Sequence, residues 1–391
     1  MIDIERVRED TPGVRDRIHL NNAGASLPPE IVLNTTVEYL QQEARVGGYE
    51  LGAKRSEDVQ NVYKSVAQLI GADADQISRA ENATRAWDMA FYSVDFQKGD
   101  RLLTTYTEYC SNYVAYLHLK QTKGLEIIVV DDDSSGQIDL GVLESELRNG
   151  ARMVSINHIP TNSGLVNPAE DVGKLTSEYG ALYLLDACQS VGQKPLDVSK
   201  LHCDFLSATG RKFLRAPRGT GFLYVNPENL EDLHPPIVDA WAASYSDTGY
   251  ELHKNRSRFE SFEFNYANFL GLGAACDYAL DLGIDSIWDR VQALSSYLRG
   301  ELSKLQDVKV QDLGELKSGI VTFSVRSKDH IQLRNSLIER GINVSVTMKA
   351  NSYLDMNRRG LDSLVRASIH YYNTREEVDH FIEVLSSLIS A

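Results

Sequence analysis

Leu206-Ser-Ala-Thr-Gly-Arg-Lys-Phe-Leu-Arg-Ala-Pro-Arg-Gly-Thr-Gly-Phe-Leu-Tyr-Val225 sets a lysine, Lys212, between two short strand-like runs. Lys212 follows by 26 residues the Asp186 that closes the apolar run Ala181-Leu-Tyr-Leu-Leu185. A strand-end carboxylate followed by a lysine between strands is the pairing that a pyridoxal phosphate (PLP) site requires. The amine forms a Schiff base with the cofactor aldehyde, and the carboxylate keeps the pyridine nitrogen protonated so that the ring can accept electrons. A solvated basic loop that happens to follow a strand has the same local sequence, so the rest of the chain has to decide.

Outward from this stretch, helical and strand-like segments alternate. Apolar periodicity predicts amphipathic helices over residues 55–70, ending at Gly71, and 85–94, opening just after Asn82-Ala-Thr. Short β-rich runs follow at residues 101–106, 126–130, 152–156, 182–185, 204–207 and 221–225, with helical patterns such as 168–179 between them. The alternation predicts a mostly parallel sheet with helices on both faces, in which ligands gather at the carboxyl ends of the strands. Asp186, His158 and Thr209 all fall at such ends; His158 reads equally as a packed strand-end imidazole. Beyond residue 271 the pattern changes to a long helical stretch over 272–305, a strand at 319–325 and a closing helix over 374–389, the signature of a smaller α+β domain.

A chain of 391 residues with 42% hydrophobic and 24% charged content can bury a large core divided between two domains. Its 55 acidic against 40 basic residues leave a net charge of −15, which disfavours nucleic acid or an anionic membrane as a principal partner. The start, Met1-Ile-Asp-Ile-Glu-Arg, lacks the apolar core of a signal peptide, and no run approaches a membrane span, so a cytoplasmic protein is expected. Cys110, Cys188, Cys203 and Cys276 lie far apart with no Cys-x-x-Cys pair or Cys/His cluster, which predicts reduced thiols and neither a disulfide framework nor a metal site. Three of them read as small buried hydrophobes, and Cys110 is the one in a segment expected to reach the cofactor.

From His19-Leu-Asn-Asn-Ala-Gly24 to Arg366-Ala-Ser-Ile-His-Tyr-Tyr-Asn-Thr374 the chain resembles the fold-type I PLP enzymes of the class V aminotransferase family, most of all the cysteine desulfurase and selenocysteine lyase branch. The resemblance implies an α/β, aspartate aminotransferase-type fold. Its large domain, over residues 16–270, carries a mostly parallel seven-stranded sheet, and residues 1–15 and 271–391 form a smaller α+β domain. It also implies a homodimer with shared active sites and an amino-acid substrate. Asp186-Ala-Cys-Gln189 matches the family's Asp-x-x-Gln, implying Asp186 at the pyridine nitrogen and Gln189 near the phenolic oxygen. Thr209-Gly-Arg-Lys212 stands where the family has Ser-Gly-His-Lys, making Lys212 the Schiff-base lysine, with Thr209 and Arg211 on the phosphate.

The physical reading runs in parallel. Ala83-Thr-Arg85 opens a helix, whose free amides and Thr84 hydroxyl suit a phosphate; an ordinary capping role for Thr84 is the alternative. A guanidinium at Arg211 is a better bidentate phosphate clamp than the histidine it replaces. Glu108-Tyr-Cys-Ser-Asn112 stands where the desulfurases have Glu-His-x-x-Asn, so Tyr109 takes the place of the ring that stacks on the pyridine. A phenol is too weak an acid near neutral pH to replace that histidine in proton transfer. Thr161, in His158-Ile-Pro-Thr-Asn-Ser-Gly164, matches the polar position beside the phenolic oxygen. Arg366 corresponds to the arginine that grips the substrate carboxylate bidentately. Tyr49, in Gly47-Gly-Tyr-Glu-Leu51, matches a position near substrate that a facing subunit supplies.

Two departures bear on activity. Cysteine desulfurases carry a nucleophilic cysteine on a mobile loop of the smaller domain, whereas residues 343–359 contain none. The Gly-Thr by which a facing subunit contacts the phosphate is replaced within Glu263-Phe-Asn-Tyr-Ala-Asn268, where Asn265 is the candidate donor. The expected activity is a C–S lyase reaction by β-elimination, with aminotransferase and amino-acid epimerase chemistry as alternatives within the family. A PLP-fold protein that only binds a ligand or partner is disfavoured because Lys212, Asp186, Thr84 and Arg366 occur together.

Overall fold

Strands that are buried along their full length, such as Met153–Asn157, Phe205–Thr209 and Gly221–Val225, belong in the middle of a sheet covered on both faces. The computed structural model, which describes residues 2–326 and 328–390, places them there. Seven strands lie in the order Ile77–Ala80, Gly221–Val225, Phe205–Thr209, Leu182–Asp186, Met153–Asn157, Arg101–Thr105, Glu126–Val130. Gly221–Val225 runs antiparallel to both neighbours, and the remaining pairings are parallel. The protein is therefore α/β with a mostly parallel sheet. Strand order reverses where Arg101–Thr105 pairs with both Glu126–Val130 and Met153–Asn157, and the carboxyl ends beside such a reversal form the crevice where open α/β sheets bind ligands.

The second sheet is antiparallel, in the order Val308–Val310, Ile320–Val325, Ser363–Ser368, Ser345–Met348. Ile18–His19 pairs in parallel with Ile342–Asn343, and Leu20 is buried in the same apolar cluster as Phe323, Val365 and Phe381. The helical stretch expected over 272–305 is two helices, Tyr266–Leu282 and Ile284–Leu302, because Gly283 adopts φ +79° and ends the first. The Ala243–Ser246 and Gly249–Leu252 hairpin has no counterpart in the sequence reading; its residues are mostly exposed and lack the alternation that marks a half-buried strand. Among the described residues no helix is long and apolar enough to cross a membrane.

Residues 343–359, the stretch that the sequence reading compares with the desulfurase loop, are folded and tied down. Ser345–Met348 pairs with Ser363–Ser368, and the helix Tyr353–Arg358 presents Asp355, fully buried, to the Asn162 side-chain amide at 2.7 Å and to Arg359 at 3.1 Å. The Ser352 hydroxyl reaches the Glu108 carbonyl oxygen at 3.4 Å.

The turn after Asp186 lies hard against the chain that carries Lys212. Gly192 adopts φ +88°, and a Cβ there would stand 2.4 Å from both the Leu214 nitrogen and the Phe213 carbonyl carbon. Gly180 has φ +68° but open space around its missing Cβ. Gly180→Ala should cost only the left-handed backbone penalty, about 1–2 kcal/mol. Gly192→Ala adds a backbone collision and should lower the melting temperature clearly further; equal melting temperatures for the two variants would contradict the close approach.

Candidate active site

The reversal point of the sheet holds a cavity of about 370 Å³. Its walls include Ala83, Thr84, Tyr109, Thr161, Asp186, Gln189, Thr209, Arg211 and Lys212 from the sequence reading, joined by Trp87, Asn112, Asn157, Ile159 and Cys188. Strand ends account for the convergence: Leu182–Asp186 delivers Asp186, Phe205–Thr209 delivers Thr209 and then Lys212, and Met153–Asn157 delivers Asn157.

Asp186 is 8% exposed, and such a carboxylate has to be partnered. Its Oδ1 accepts the Cys188 backbone N–H at 2.9 Å and its Oδ2 accepts the Asn112 side-chain amide at 3.2 Å. Gln189 donates to the Ala23 carbonyl at 3.2 Å, leaving its buried Oε1 without a partner, and the Asn157 Oδ1 is likewise unpartnered. Burial holds the Lys212 ammonium below the ordinary lysine range; the Cys188 thiol and Asp186 oppose that effect, while Arg211 and Arg366 add to it. Burial pushes the Cys188 thiol well up, and the neighbouring Asp186 charge adds to the rise. Cys188 thus borders the cavity as a protonated thiol, whereas Cys110 opens the helix Cys110–Lys123 and is not among the wall residues. Its place between Asp186 and Gln189 in the Asp-x-x-Gln turn is the sequence signal for Cys188.

On the opposite wall the helix Ala83–Phe91 starts two residues earlier than its periodicity suggests. Asn82 is its N-cap and accepts the Arg85 backbone N–H at 2.9 Å. Thr84 is therefore not the cap, and its side chain lies at the cavity. Arg85 is not brought to the cavity: its amide is committed to Asn82, and its side chain lines a separate small cleft with Met89 and Phe259. Thr209 donates to the Thr220 carbonyl at 3.3 Å, and Arg211 donates to the Gly24 carbonyl. Among the described residues neither Arg211 nor Arg366 forms an ion pair with a carboxylate.

Arg366 is 7% exposed, with Nη1 bonded to the Thr161 hydroxyl oxygen at 2.6 Å and carbonyl at 3.0 Å, and with Nε unpartnered. Burial first, and Arg211 second, lower its pKa to about 10, so it stays a cation at neutral pH. Its guanidinium reaches the site through Thr161 rather than as a wall residue. Tyr109 lies at the N-terminal end of Cys110–Lys123 with its ring at the cavity, and burial raises its phenol pKa. His158 faces the other way, as strand alternation requires when Asn157 and Ile159 line the cavity. It borders a separate hollow of about 250 Å³, and burial, aided by Lys194, lowers its pKa to about 3, leaving it neutral. Tyr49 is 81% exposed on the helix Gly48–Lys54, away from this cavity. Asn265 is also apart from it, its side-chain oxygen capping Tyr266–Leu282 through the Asn268 N–H at 2.8 Å.

These groups fit PLP. A buried carboxylate stands among the walls with the amine of Lys212, an unpaired guanidinium and two threonine hydroxyls offer anion contacts beside a helix N-terminus, and two buried amide oxygens await partners. The volume lies within the usual range of ligand pockets. Among the described residues no group of His, Cys, Asp and Glu is arranged to hold a metal.

The family model for aminotransferase class V matches residues 18–381. A probable cysteine desulfurase of Methanothermobacter thermautotrophicus is 30% identical over 98% of each chain. The apo structure of the cysteine desulfurase from Thermococcus onnurineus NA1 superposes with a TM-score of 0.94 at 28% identity, covering 100% of this chain and 99% of that one. The cystine C-S lyase C-DES, in complex with its reaction product cysteine persulfide, shares the fold with a TM-score of 0.87 at 22% identity, covering 96% of this chain and 99% of that one. With a family match spanning nearly its whole length, the chain belongs to the class V aminotransferase family of PLP-dependent enzymes.

Proposed function

We propose that the protein breaks a carbon–sulfur bond of an α-amino acid by β-elimination with PLP held in the 370 Å³ cavity. The observation that carries this reading is the placing of Lys212 and Asp186 in the walls of one cavity, near a buried arginine that pairs with no carboxylate among the described residues. The relatives' names, cysteine desulfurase and cystine C-S lyase, support a cysteine-type substrate. Bound there, the cofactor would supply an aldehyde for the substrate amine and a cationic ring that accepts the electron pair released at Cα.

The chain's own residues divide the remaining work. Thr84, the free amide of Ala83, Thr209 and Arg211 would hold the phosphate; Tyr109 would cover the ring face; Gln189 and Thr161 would serve the phenolic oxygen. Asp186, fixed by two N–H donors, would be the partner of the ring nitrogen. Arg366 binds the substrate carboxylate and is itself oriented by Thr161, so the Cα–H bond is presented toward Lys212. Desolvation favours the free-base amine of Lys212, whose Nζ takes the Cα proton as the β-sulfur leaves. A cysteine-type substrate and one water then yield pyruvate, ammonia and a sulfur product, with no enzyme persulfide on residues 343–359, which lack cysteine.

The working unit is a homodimer in this reading. Tyr49 and the stretch at Asn265 lie outside the chain's own cavity, and exposed apolar side chains run along the helix Glu30–Val46 at Ile31, Leu33, Val37, Leu40 and Val46. Four unpaired cysteines accord with a reducing, cytoplasmic setting.

The purified protein should be yellow, and borohydride should fix cofactor to the wild type but not to folded Lys212→Ala; a cofactor fixed equally in that variant would sink the assignment. Asp186→Ala should retain cofactor yet lose turnover by orders of magnitude. Incubation with cysteine conjugates should release pyruvate and ammonia, whereas a keto acid that depends on an added amino acceptor, or racemised substrate, would establish one of the alternatives.

Replacing Arg366 by lysine removes the bidentate fork and should raise KM about tenfold or more. Cys110→Ala and Cys188→Ser should both stay active, and loss of turnover in either with cofactor still bound would point to a relocated thiol nucleophile. Sedimentation should give a dimer; a fully active monomer would remove the shared-site reading.

A further inference from the structure

Glu108 and Asn112 belong to a motif whose chemistry the site residues leave unused, and the structure gives both a defined place. Glu108 is 2% exposed and meets Asp186 through the cavity wall residue Asn112. The side-chain amide nitrogen of Asn112 lies 3.0 Å from Glu108 Oε1 and 3.2 Å from Asp186 Oδ2, so each of its two N–H bonds serves one buried carboxyl group. Glu108 Oε1 also accepts the Tyr109 backbone N–H at 2.6 Å and the Asn157 amide at 2.6 Å. Its Oε2 faces only hydroxyls, Thr104 at 3.1 Å and Tyr116 at 2.8 Å.

The two oxygens are thus sorted chemically. Oε1 meets three N–H groups that can only donate, whereas Oε2 meets two hydroxyls that can donate or accept. A charged carboxylate and a carboxylic acid with its proton on Oε2 both satisfy the pocket. Packing alone does not call for five polar contacts to a buried acid, which an apolar side chain could replace at lower desolvation cost.

We propose that Glu108 is a positioning residue for the reaction: through the Asn112 amide that it shares with Asp186, it orients that carboxylate and adds a second negative charge behind it, strengthening the site's hold on a protonated ring nitrogen. The inference rests on the PLP reading above. Among the groups packed on Glu108, those that titrate are Asp186 at the end of Leu182–Asp186 and the phenol of Tyr116 on Cys110–Lys123; the strands Arg101–Thr105 and Met153–Asn157 present Thr104 and Asn157, which do not. Lys212 shares the cavity with Asp186. Burial, with the Asp186 charge second, pushes the Glu108 carboxyl up to about 7, so its charge state answers to a neighbouring cation in the neutral range. A cationic ring at Asp186 favours the ionised form of Glu108, and by reciprocity an ionised Glu108 favours the cationic ring.

The test separates charge from shape in the holoenzyme. Glu108→Gln keeps the shape, since its amide oxygen can take the three N–H donors and its NH2 can face the two hydroxyls; Glu108→Asp keeps the charge and loses the fit. The visible absorbance of bound PLP is titrated against pH, alongside melting temperature and PLP affinity. Glu108→Gln should melt near the wild type while its absorbance midpoint falls by about one pH unit, about a tenfold loss of proton affinity. Glu108→Asp should melt lower with a midpoint nearer the wild type. Superimposable titrations for wild type and Glu108→Gln, both holding PLP, would overturn the inference and leave the cofactor reading standing, as would a shift confined to Glu108→Asp. A wild type that binds no PLP would remove the cofactor reading itself and this inference with it. Should Glu108→Gln not fold, Asn112→Ala, which cuts the bridge and leaves both carboxyls, has to lower the midpoint in the same way, and an unmoved midpoint there overturns the inference.

Discussion

A carboxylate at 8% exposure is stable only if its hydrogen bonds are supplied, and the arrangement around Asp186 follows from that requirement. One donor comes from its own turn, the Cys188 N–H, and the other from Asn112, on a helix that begins after Arg101–Thr105, two strands away in the sheet. Asn112 is held in turn by Glu108, and Glu108 by Thr104, Tyr116 and Asn157. A single buried charge thereby ties three adjacent strands and a helix into one polar network, placed where the strand order reverses and side chains of neighbouring strands can diverge around a ligand.

The cationic side of the site has the opposite character. Arg366 and Arg211 are held by carbonyl and hydroxyl oxygens and, among the described residues, pair with no carboxylate. Leaving a buried guanidinium without a counter-charge is costly, and the cost is recovered when an anion arrives. Two such cations suit two anions, a phosphate and a substrate carboxylate, and they also help to hold Lys212 in its basic form. The same charges that bind the reactants therefore tune the base.

The segment that lacks the loop cysteine is anchored in the fold. Residues 343–359 form a strand and a short helix whose Asp355 is buried against Asn162 and Arg359, and a segment anchored in this way is poorly suited to carry a nucleophile in and out of the site. The thiol nearest the chemistry is Cys188, kept protonated by burial and by Asp186, a state that suits packing better than nucleophilic attack.

The amino-acid sequence by itself determined the α/β class, most strand positions of the main sheet, and the motif residues Asp186, Gln189, Thr209, Arg211 and Lys212, because buried parallel strands read as short apolar runs and their functional residues sit at strand ends, where order along the chain maps onto position in space. It also carried the missing cysteine. Its periodicity overran the break at Gly283 and started the Ala83–Phe91 helix late, since apolar spacing reports a buried face and says little about where caps fall. Only the tertiary structure decided that Arg85 is spent on a cap, that Tyr49 and Asn265 lie outside the chain's own cavity, that Cys188 borders the chemistry, and that Glu108 and Asp186 share one amide. Those facts depend on which hydrogen-bond partners, distant in sequence, arrive at the same buried atoms, and 74 residues separate Asn112 from Asp186 along the chain while 3.2 Å separate them in space.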